Sequence, residues 1–418
     1  MTEGPLEQEY KDLCAIAQTM QDAVQGLKSP LESWRQGLDQ GLERAPSPLS
    51  AERVLDKAAL ALRHVWLEAA ARSTSKSYRS PAQGENTITP AGRFHNFGYE
   101  RDLQPVALER RCAGFFEPPP PGWSAEHVLF SSGQAAMNAV LTLLSAGQDR
   151  RLLLRHDGCY FETVQLLELY RRQFDIARGQ AADIVIAEPV WCDGKRFGAT
   201  FFEAVAERAN AEGTASIIVD STLAGLDDRL NTLLGALDGT ENVFRLHSGL
   251  KLFQAGLELA DVGIVSLYGS TKADALRRIR TLQGSGLRFA DVAALELPLF
   301  LDPSATLSYE DAVFWHNGAL AEAARGNQAL AISYPVRAPF VIANLADARA
   351  YDGLDEKIAA EAQRRSLIFT KGGSFGFRGH RFETVRPEGK PPFLRIAMGK
   401  RGGPSFEGIM ELCRTFRP

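Results

Sequence analysis

The sequence predicts an α/β protein built on a large, mostly parallel sheet, with a helical extension before it and a smaller α+β domain after it. Between residues 124 and 290, short apolar runs alternate with helix-length segments: Arg151 to Arg155, Asp183 to Ala187, Ser216 to Asp220 and Gly263 to Leu267. Runs of this kind are parallel strands buried on both faces. In residues 1 to 75, the side chains Val54, Leu55, Ala58, Ala59, Leu62, Val65, Trp66 and Ala69 recur at steps of 3 and 4, which is one face of a helix. After a Pro- and Leu-rich joint at Leu297 to Pro303, helices over Ser308 to Leu330, Asp352 to Ser366 and Phe406 to Thr415 are interspersed with strands. The expected division is a helical extension and linker over 1–95, a large domain over 96–300 and a small domain over 301–418. Ser73 to Asn96, rich in Ser, Thr, Gly, Pro and Asn, is the connection, and Pro118 to Gly122 is a stiff spacer. No internal repeat is present.

Composition excludes several classes of function. The chain has 418 residues, 45% hydrophobic and 23% charged, with 47 Lys and Arg against 51 Asp and Glu and a net charge of -4. That balance is unlike a disordered regulator or a nucleic-acid binder. Apolar stretches such as Ala58 to Leu62 and Val65 to Ala71 are broken by Arg63, His64 and Glu68, short of the roughly 18 apolar residues a membrane span needs. The acidic start Met1-Thr-Glu-Gly-Pro is unlike a signal peptide, so a cytoplasmic protein is expected. The five scattered cysteines, Cys14, Cys112, Cys159, Cys192 and Cys413, fit reduced thiols. No His or Cys spacing supports a metal site, so an organic cofactor is expected.

In an open α/β sheet, ligands sit beyond the carboxyl ends of the strands, so chemistry belongs in the residues after each apolar run. Four segments qualify. In Phe130 to Met137, Ser132 is a natural N-cap and Gly133 admits a ligand to the free amides of a helix start, which suits phosphate. In Asp157 to Thr163, Tyr160 can lie against a planar group. Asp220, followed by Ser221 and Thr222, closes a strand where its charge can hold a protonated ring nitrogen. In His247 to Lys251, a loop ahead of the strand Val262 to Leu267, a lysine next to a Ser and a Gly can be partly desolvated, which would make Lys251 a usable amine nucleophile. Each has an ordinary reading too, as a capped helix, a packed ring, a turn cap or a solvated lysine. Their order, with phosphate loop, aromatic, strand-end Asp and then Lys, is the layout expected of a pyridoxal 5'-phosphate site.

These motifs resemble the fold-type I pyridoxal-phosphate enzymes, and most closely the Cys/Met-metabolism family typified by cystathionine gamma-synthase, over residues 97 to 400. Tyr99-Glu100-Arg101 with Leu108-Glu109 is similar to the segment whose Tyr and Arg reach the cofactor phosphate of a neighbouring subunit. Ser131 to Ala136, including Ser132, Gly133 and Gln134, resembles the phosphate loop. Tyr160-Phe161-Glu162-Thr163 resembles the motif whose Tyr stacks on the pyridine ring. Asp220-Ser221-Thr222 resembles the one whose Asp pairs with the pyridine nitrogen, and Ser248-Gly249-Leu250-Lys251 the one whose Lys forms the internal aldimine. Leu394 to Gly399 resembles the strand whose Arg, here Arg395, binds the substrate carboxylate. The resemblance therefore implies a large seven-stranded sheet domain. It places catalytic roles on Lys251, Tyr160 and Asp220, cofactor contacts also on Tyr99, Arg101, Thr222 and Ser248, and an active unit that is a homodimer or tetramer.

The implied activity is gamma- or beta-elimination or replacement on an amino acid, through aldimine and quinonoid intermediates. Three departures stand out: Leu250 replaces a hydroxyl residue, Trp191-Cys192-Asp193 stands in place of an Asn-Pro, and the segment Phe253 to Glu258 replaces the usual Gly-His-Ser-Asp spacing. They imply an altered substrate; the helical extension, the replaced Asn and the Ala-rich chain add the expectation of specialised biosynthesis, with S-adenosylmethionine or an activated homoserine as donor. Gly372 to Gly376 resembles the carboxylate loop of aminotransferases, which assigns Ser374 to the substrate and makes transamination the second implied reaction. A third reading, a non-catalytic regulator on this fold, finds no basic recognition helix in residues 1 to 75.

Overall fold

The computed structural model describes residues 4–75, 78–81, 87–156, 159–239, 242–269, 272–335 and 337–417. Asp157 and Gly158, which open the Tyr160 segment, lie outside the described residues. The chain divides into two compact units, one joining 1–96 with 251–260 and 289–418, the other joining 97–250 with 261–288.

In the first unit, the helical periodicity resolves into Pro5–Ala23 (α1), Lys28–Glu43 (α2) and Pro48–Thr74 (α3). Ser47 caps α3 by accepting from the Ser50 amide at 3.2 Å, and Pro48 supplies a preset first-turn φ. The α3 stripe of Leu55, Ala58, Ala59, Leu62 and Trp66 is buried with Leu13, Ile16 and Met20 of α1 and with Leu257, Leu259, Ala293, Ala294 and Leu297. Two indoles fix the helices in register: Trp34 Nε1 donates to the Ala58 carbonyl at 2.9 Å, and Trp66 Nε1 donates to the Ala294 carbonyl at 2.8 Å.

The remainder of this unit carries a five-stranded sheet in the order 331–333, 341–344, 393–397, 380–385 and 369–371. All of its pairings are antiparallel except the last. Helix Pro303–Ala324 starts ahead of the expected Ser308, because Asp302 accepts from the Ala305 amide at 2.7 Å and Pro303 occupies the first turn. It stops short of the expected Leu330, where Asn327 turns the chain by donating to the Cys413 and Phe416 carbonyls, each at 2.9 Å.

The second unit holds a seven-stranded sheet in the order 125–130, 263–268, 242–248, 216–220, 184–187, 152–156 and 174–176. Only strand Gly263–Tyr268 runs antiparallel to its neighbours. The four expected strands appear within a residue or so of their apolar runs. One expectation is corrected: His247 and Ser248 are not in a loop but end the strand Asn242–Ser248. Alternation there hides in buried polar side chains, since Arg245 meets Asp228 at 3.4 Å and lies 3.9 Å from the Phe116 ring centroid, while His247 meets the Gly225 carbonyl at 3.1 Å. Partnered in this way, a buried guanidinium and imidazole are tolerated in a core strand. Among the described residues, no helix is long and apolar enough to cross a membrane.

Candidate active site

In the seven-stranded unit, strand Ala125–Phe130 delivers Ser131 and Ser132 to the start of helix Gly133–Ser145. Ser132 is the N-cap: its Oγ accepts from the Ala135 amide at 3.1 Å and its carbonyl from the Ala136 amide at 3.0 Å. The amides of Gly133 and Gln134, the first two of the helix, have no carbonyl within the helix to donate to, which makes this helix start suited to an anion. Backbone passes close on both sides. A Cβ on Gly133 would lie 3.1 Å from the Ser248 Cβ, and one on Gly263 would lie 2.0 Å from the Ser132 carbonyl oxygen and 2.9 Å from the Gly133 nitrogen.

That crowding makes a sharp prediction. Neither backbone neighbour of Gly263 is a flexible side chain, so Gly263→Ala must displace the helix start itself. Overpacking of this kind costs about 1–3 kcal/mol. We expect an anion or cofactor phosphate to bind this loop about tenfold more weakly in the variant, measured by cofactor titration. Unchanged affinity would show that the loop tolerates displacement.

Asp220 ends its strand partly buried and caps the next turn, accepting from the Thr222 amide at 3.0 Å. The Thr222 hydroxyl in turn accepts from the Ser248 amide at 3.0 Å, which ties the ends of two neighbouring strands together. Asp220, Thr222, Ser248, Ser132 and Gly133 therefore form one connected cluster at the carboxyl edge of the sheet, three residues along the chain from Lys251.

Tyr160 precedes helix Phe161–Leu169, and its amide donates to Glu188 Oε1 at 2.7 Å. Glu188 is a site residue that the sequence reading missed, although it directly follows the expected run Asp183 to Ala187. It is 2% exposed, and burial together with the neighbouring charge of Asp220 pushes its carboxyl well above the ordinary value. Burial also raises Asp220, against hydrogen bonds from Thr222 that lower it. Two raised carboxyls in one cluster constitute a place that favours a positive charge.

A carboxyl whose pKa is raised on folding contributes stability at acidic pH that is lost as pH climbs through the folded-state value. Glu188→Gln removes that titration. We therefore expect the cofactor-free variant to gain stability relative to the parent as pH rises from acid to neutral, read from denaturant midpoints. A parallel pH dependence of the two proteins would contradict it.

Trp191-Cys192-Asp193 has a local explanation. Val190–Cys192 pairs antiparallel with Phe197–Ala199, Asp193 accepts from the Lys195 amide at 2.8 Å and the Arg196 amide at 3.0 Å, and the Trp191 ring occupies the space a Cβ on Gly198 would take. Tyr99 and Arg101 lie beside and in a short turn at Glu100–Asp102, with the guanidinium 5.5 Å from the Tyr99 ring centroid and Tyr99 57% exposed.

The other unit carries Lys251, Ser374 and Arg395. The Lys251 ammonium donates to the Ser374 hydroxyl and stands 5.5 Å from the Phe375 ring centroid. Ser374 holds a left-handed φ of 72°, a conformation L-residues avoid and one that is concentrated at functional sites. Gly376, at φ 79°, is obligatory, since a Cβ there would lie 2.0 Å from the Lys251 carbonyl oxygen. Arg395 is buried on strand Phe393–Ala397, where it pairs with Glu383 and lies 5.4 Å from the Phe340 ring centroid.

No protein-family model matches the chain, and no curated protein matches it in sequence. Solved structures match its fold. An apo methionine gamma lyase from Micromonospora echinospora superposes with a TM-score of 0.56 at 22% identity, covering 82% of this chain and 91% of that one. A cystathionine gamma-lyase from Lactobacillus plantarum complexed with L-serine gives 0.56 at 17% identity, over 81% and 91%. A cystathionine gamma synthase from Xanthomonas oryzae pv. oryzae, in complex with aminoacrylate and cysteine, gives 0.57 at 17%, over 82% and 96%. The chain has the fold of these enzymes, the fold-type I architecture implied by its motifs.

Proposed function

We propose that the protein is a pyridoxal-phosphate-dependent enzyme acting on an amino acid by gamma- or beta-elimination or replacement. One observation carries the cofactor assignment: the Ser248–Thr222–Asp220 cluster closes around the helix start at Ser132 and Gly133, with Lys251 three residues further along the chain. The residues present fit the cofactor. First-turn amides at a capped helix suit its phosphate, and the Asp220–Glu188 carboxyl cluster suits a protonated ring nitrogen. Tyr160, held by Glu188, is the ring-stacking residue. When bound, the cofactor supplies an electron sink for the substrate's alpha carbon.

The chain's own residues do the rest. Asp220 would hold the ring nitrogen in its protonated form. Lys251 would hold the cofactor through its amine and, once free, would move a proton at the substrate's alpha carbon, and in a gamma reaction also at the beta carbon. Ser374 holds the Lys251 nitrogen through its hydroxyl. Arg395 takes the substrate carboxylate by exchanging Glu383 for it. The exposed Tyr99 and Arg101 would reach the cofactor phosphate of a second copy, so the proposed active unit is at least a dimer, in the cytoplasm.

The test is the visible spectrum of the purified protein with pyridoxal phosphate, followed by a panel of amino acids. Release of the gamma substituent from an activated homoserine, or of methylthioadenosine from S-adenosylmethionine, supports the proposal: with ammonia and a 2-oxo acid it is elimination, and with the amine kept on a new amino acid formed from an added nucleophile it is replacement. Retention of the amine on the cofactor establishes transamination instead, the reaction that the Ser374 loop resembles. A protein that takes up no chromophore overturns the proposal.

A further inference from the structure

The segment after Lys251 departs from the family spacing, and its conformation is costly. Ala255 and Glu258 adopt left-handed φ values of 49° and 50° on either side of Gly256 at 71°. Side chains rarely tolerate that region, so something must hold the loop there. Packing does not do so on every side, because a cavity of about 220 Å³ borders Gly256, Leu257 and Glu258.

Three arginines supply the hold. Arg63, on α3 of the N-terminal extension, donates to the Glu258 carbonyl through Nε at 3.0 Å and Nη2 at 2.7 Å. Arg381 pairs with the Glu258 carboxylate at 2.7 Å. Arg378 donates to the Ala255 carbonyl at 3.1 Å. Arg378 is itself positioned by the extension, since Glu9 of α1 accepts from its Nε at 2.9 Å and its Nη2 at 2.5 Å, and both residues are under 5% exposed. Two residues before Arg378 stands Gly376, against the Lys251 carbonyl, and two before that stands Ser374, which accepts from the Lys251 ammonium. The same arginine thus lies between the extension and both backbone segments that flank the lysine.

We infer that the N-terminal helical extension is a positioning device for Lys251: Glu9, through Arg378, and Arg63 hold the strained 252–260 loop and so fix where the lysine amine stands. The inference rests on the reading of Lys251 as the cofactor-binding amine, and it gives a role to the part of the chain that this reading leaves unused. The extension is anchored elsewhere too, with Glu52 accepting from the Ser405 amide at 2.9 Å and Asp56 pairing with Arg401 at 2.8 Å, but Glu9, through Arg378, and Arg63 are the contacts that reach this loop.

The experiment compares Glu9→Gln and Arg63→Lys with the parent protein and with Glu7→Gln, whose partner Lys11 lies on the same exposed face of α1. Each test variant keeps side-chain size but loses a charge-assisted or bidentate contact. Hydrogen exchange on the cofactor-free protein should show the 252–260 amides exchanging about tenfold faster in both test variants, with strand Ser216–Asp220 and the Glu7→Gln control unchanged. On the cofactor-loaded protein, kcat should fall about tenfold with KM nearly constant, and the pH at which the bound cofactor's visible band titrates should move. If Glu9→Gln does not fold, Arg63→Lys interrogates the same loop from the other side. Unchanged exchange of 252–260 in a folded variant overturns the inference, as does a uniform increase across the unit. A parent protein that never takes up the chromophore overturns the cofactor reading instead, while the exchange experiment still decides whether the extension holds the loop.

Discussion

Lys251→Ala is expected to abolish covalent capture of pyridoxal phosphate and to lower turnover by about 10³- to 10⁴-fold. On the proposed reading, the variant removes both the amine that binds the aldehyde and the group that moves the substrate proton. Borohydride reduction of the parent protein should attach the cofactor to Lys251, and the variant should retain it only by its phosphate and ring contacts. Weak residual binding without covalent trapping is therefore the expected result. Trapping at a different lysine would overturn the assignment. Ser374→Ala is a useful companion, because it removes only the hydroxyl that accepts from the lysine nitrogen. It should cost far less activity than loss of the lysine itself.

Trp66→Ala is expected to destabilise the protein by about 3–5 kcal/mol. The indole is fully buried, it sits at the junction of α3 with the helix Phe289–Leu295, and its Nε1 satisfies the Ala294 carbonyl. Truncation leaves a cavity and an orphaned acceptor beside it. The denaturant midpoint should fall with little change in slope. Phe201→Ala, at a ring that is 75% exposed, should by contrast change stability by no more than about 0.5 kcal/mol. Equal effects of the two substitutions would show that the extension is not part of a cooperative core.

Much of the molecule is legible in the sequence, for reasons that differ by element. Strands buried on both faces need uninterrupted apolar runs, so Ser216–Asp220 and Ile184–Ala187 announce themselves. The strand Asn242–Ser248 does not, because Arg245 and His247 are buried through partners, Asp228 and Gly225, that only folding supplies. The helix start at Ser132 is readable from its cap residue and the glycine after it. Glu188 is readable only in part: the rule that chemistry follows each apolar run points to it, but its raised carboxyl arises from burial beside Asp220, which no spacing reveals.

What the sequence determined alone is local and periodic. Apolar runs set the strands, the 3 and 4 spacing of Leu55, Ala58, Leu62 and Trp66 set the α3 stripe, and caps such as Ser47, Ser132 and Asp302 set where helices begin. The tertiary structure decided which distant segments share a surface. It joined residues 1–96 to the short 251–260 loop and to the C-terminal part of the chain, it brought Glu9 to Arg378 across 369 positions, and it placed Gly263 against the Ser132 carbonyl. The physical reason is that a periodic pattern states that a face must be buried, whereas its partner is selected by shape, by hydrogen-bond satisfaction and by charge among all the faces the chain presents. Strain such as that at Ser374, Ala255 and Glu258 lies furthest from the sequence, because each left-handed residue is stable only when neighbours remote in the chain hold it.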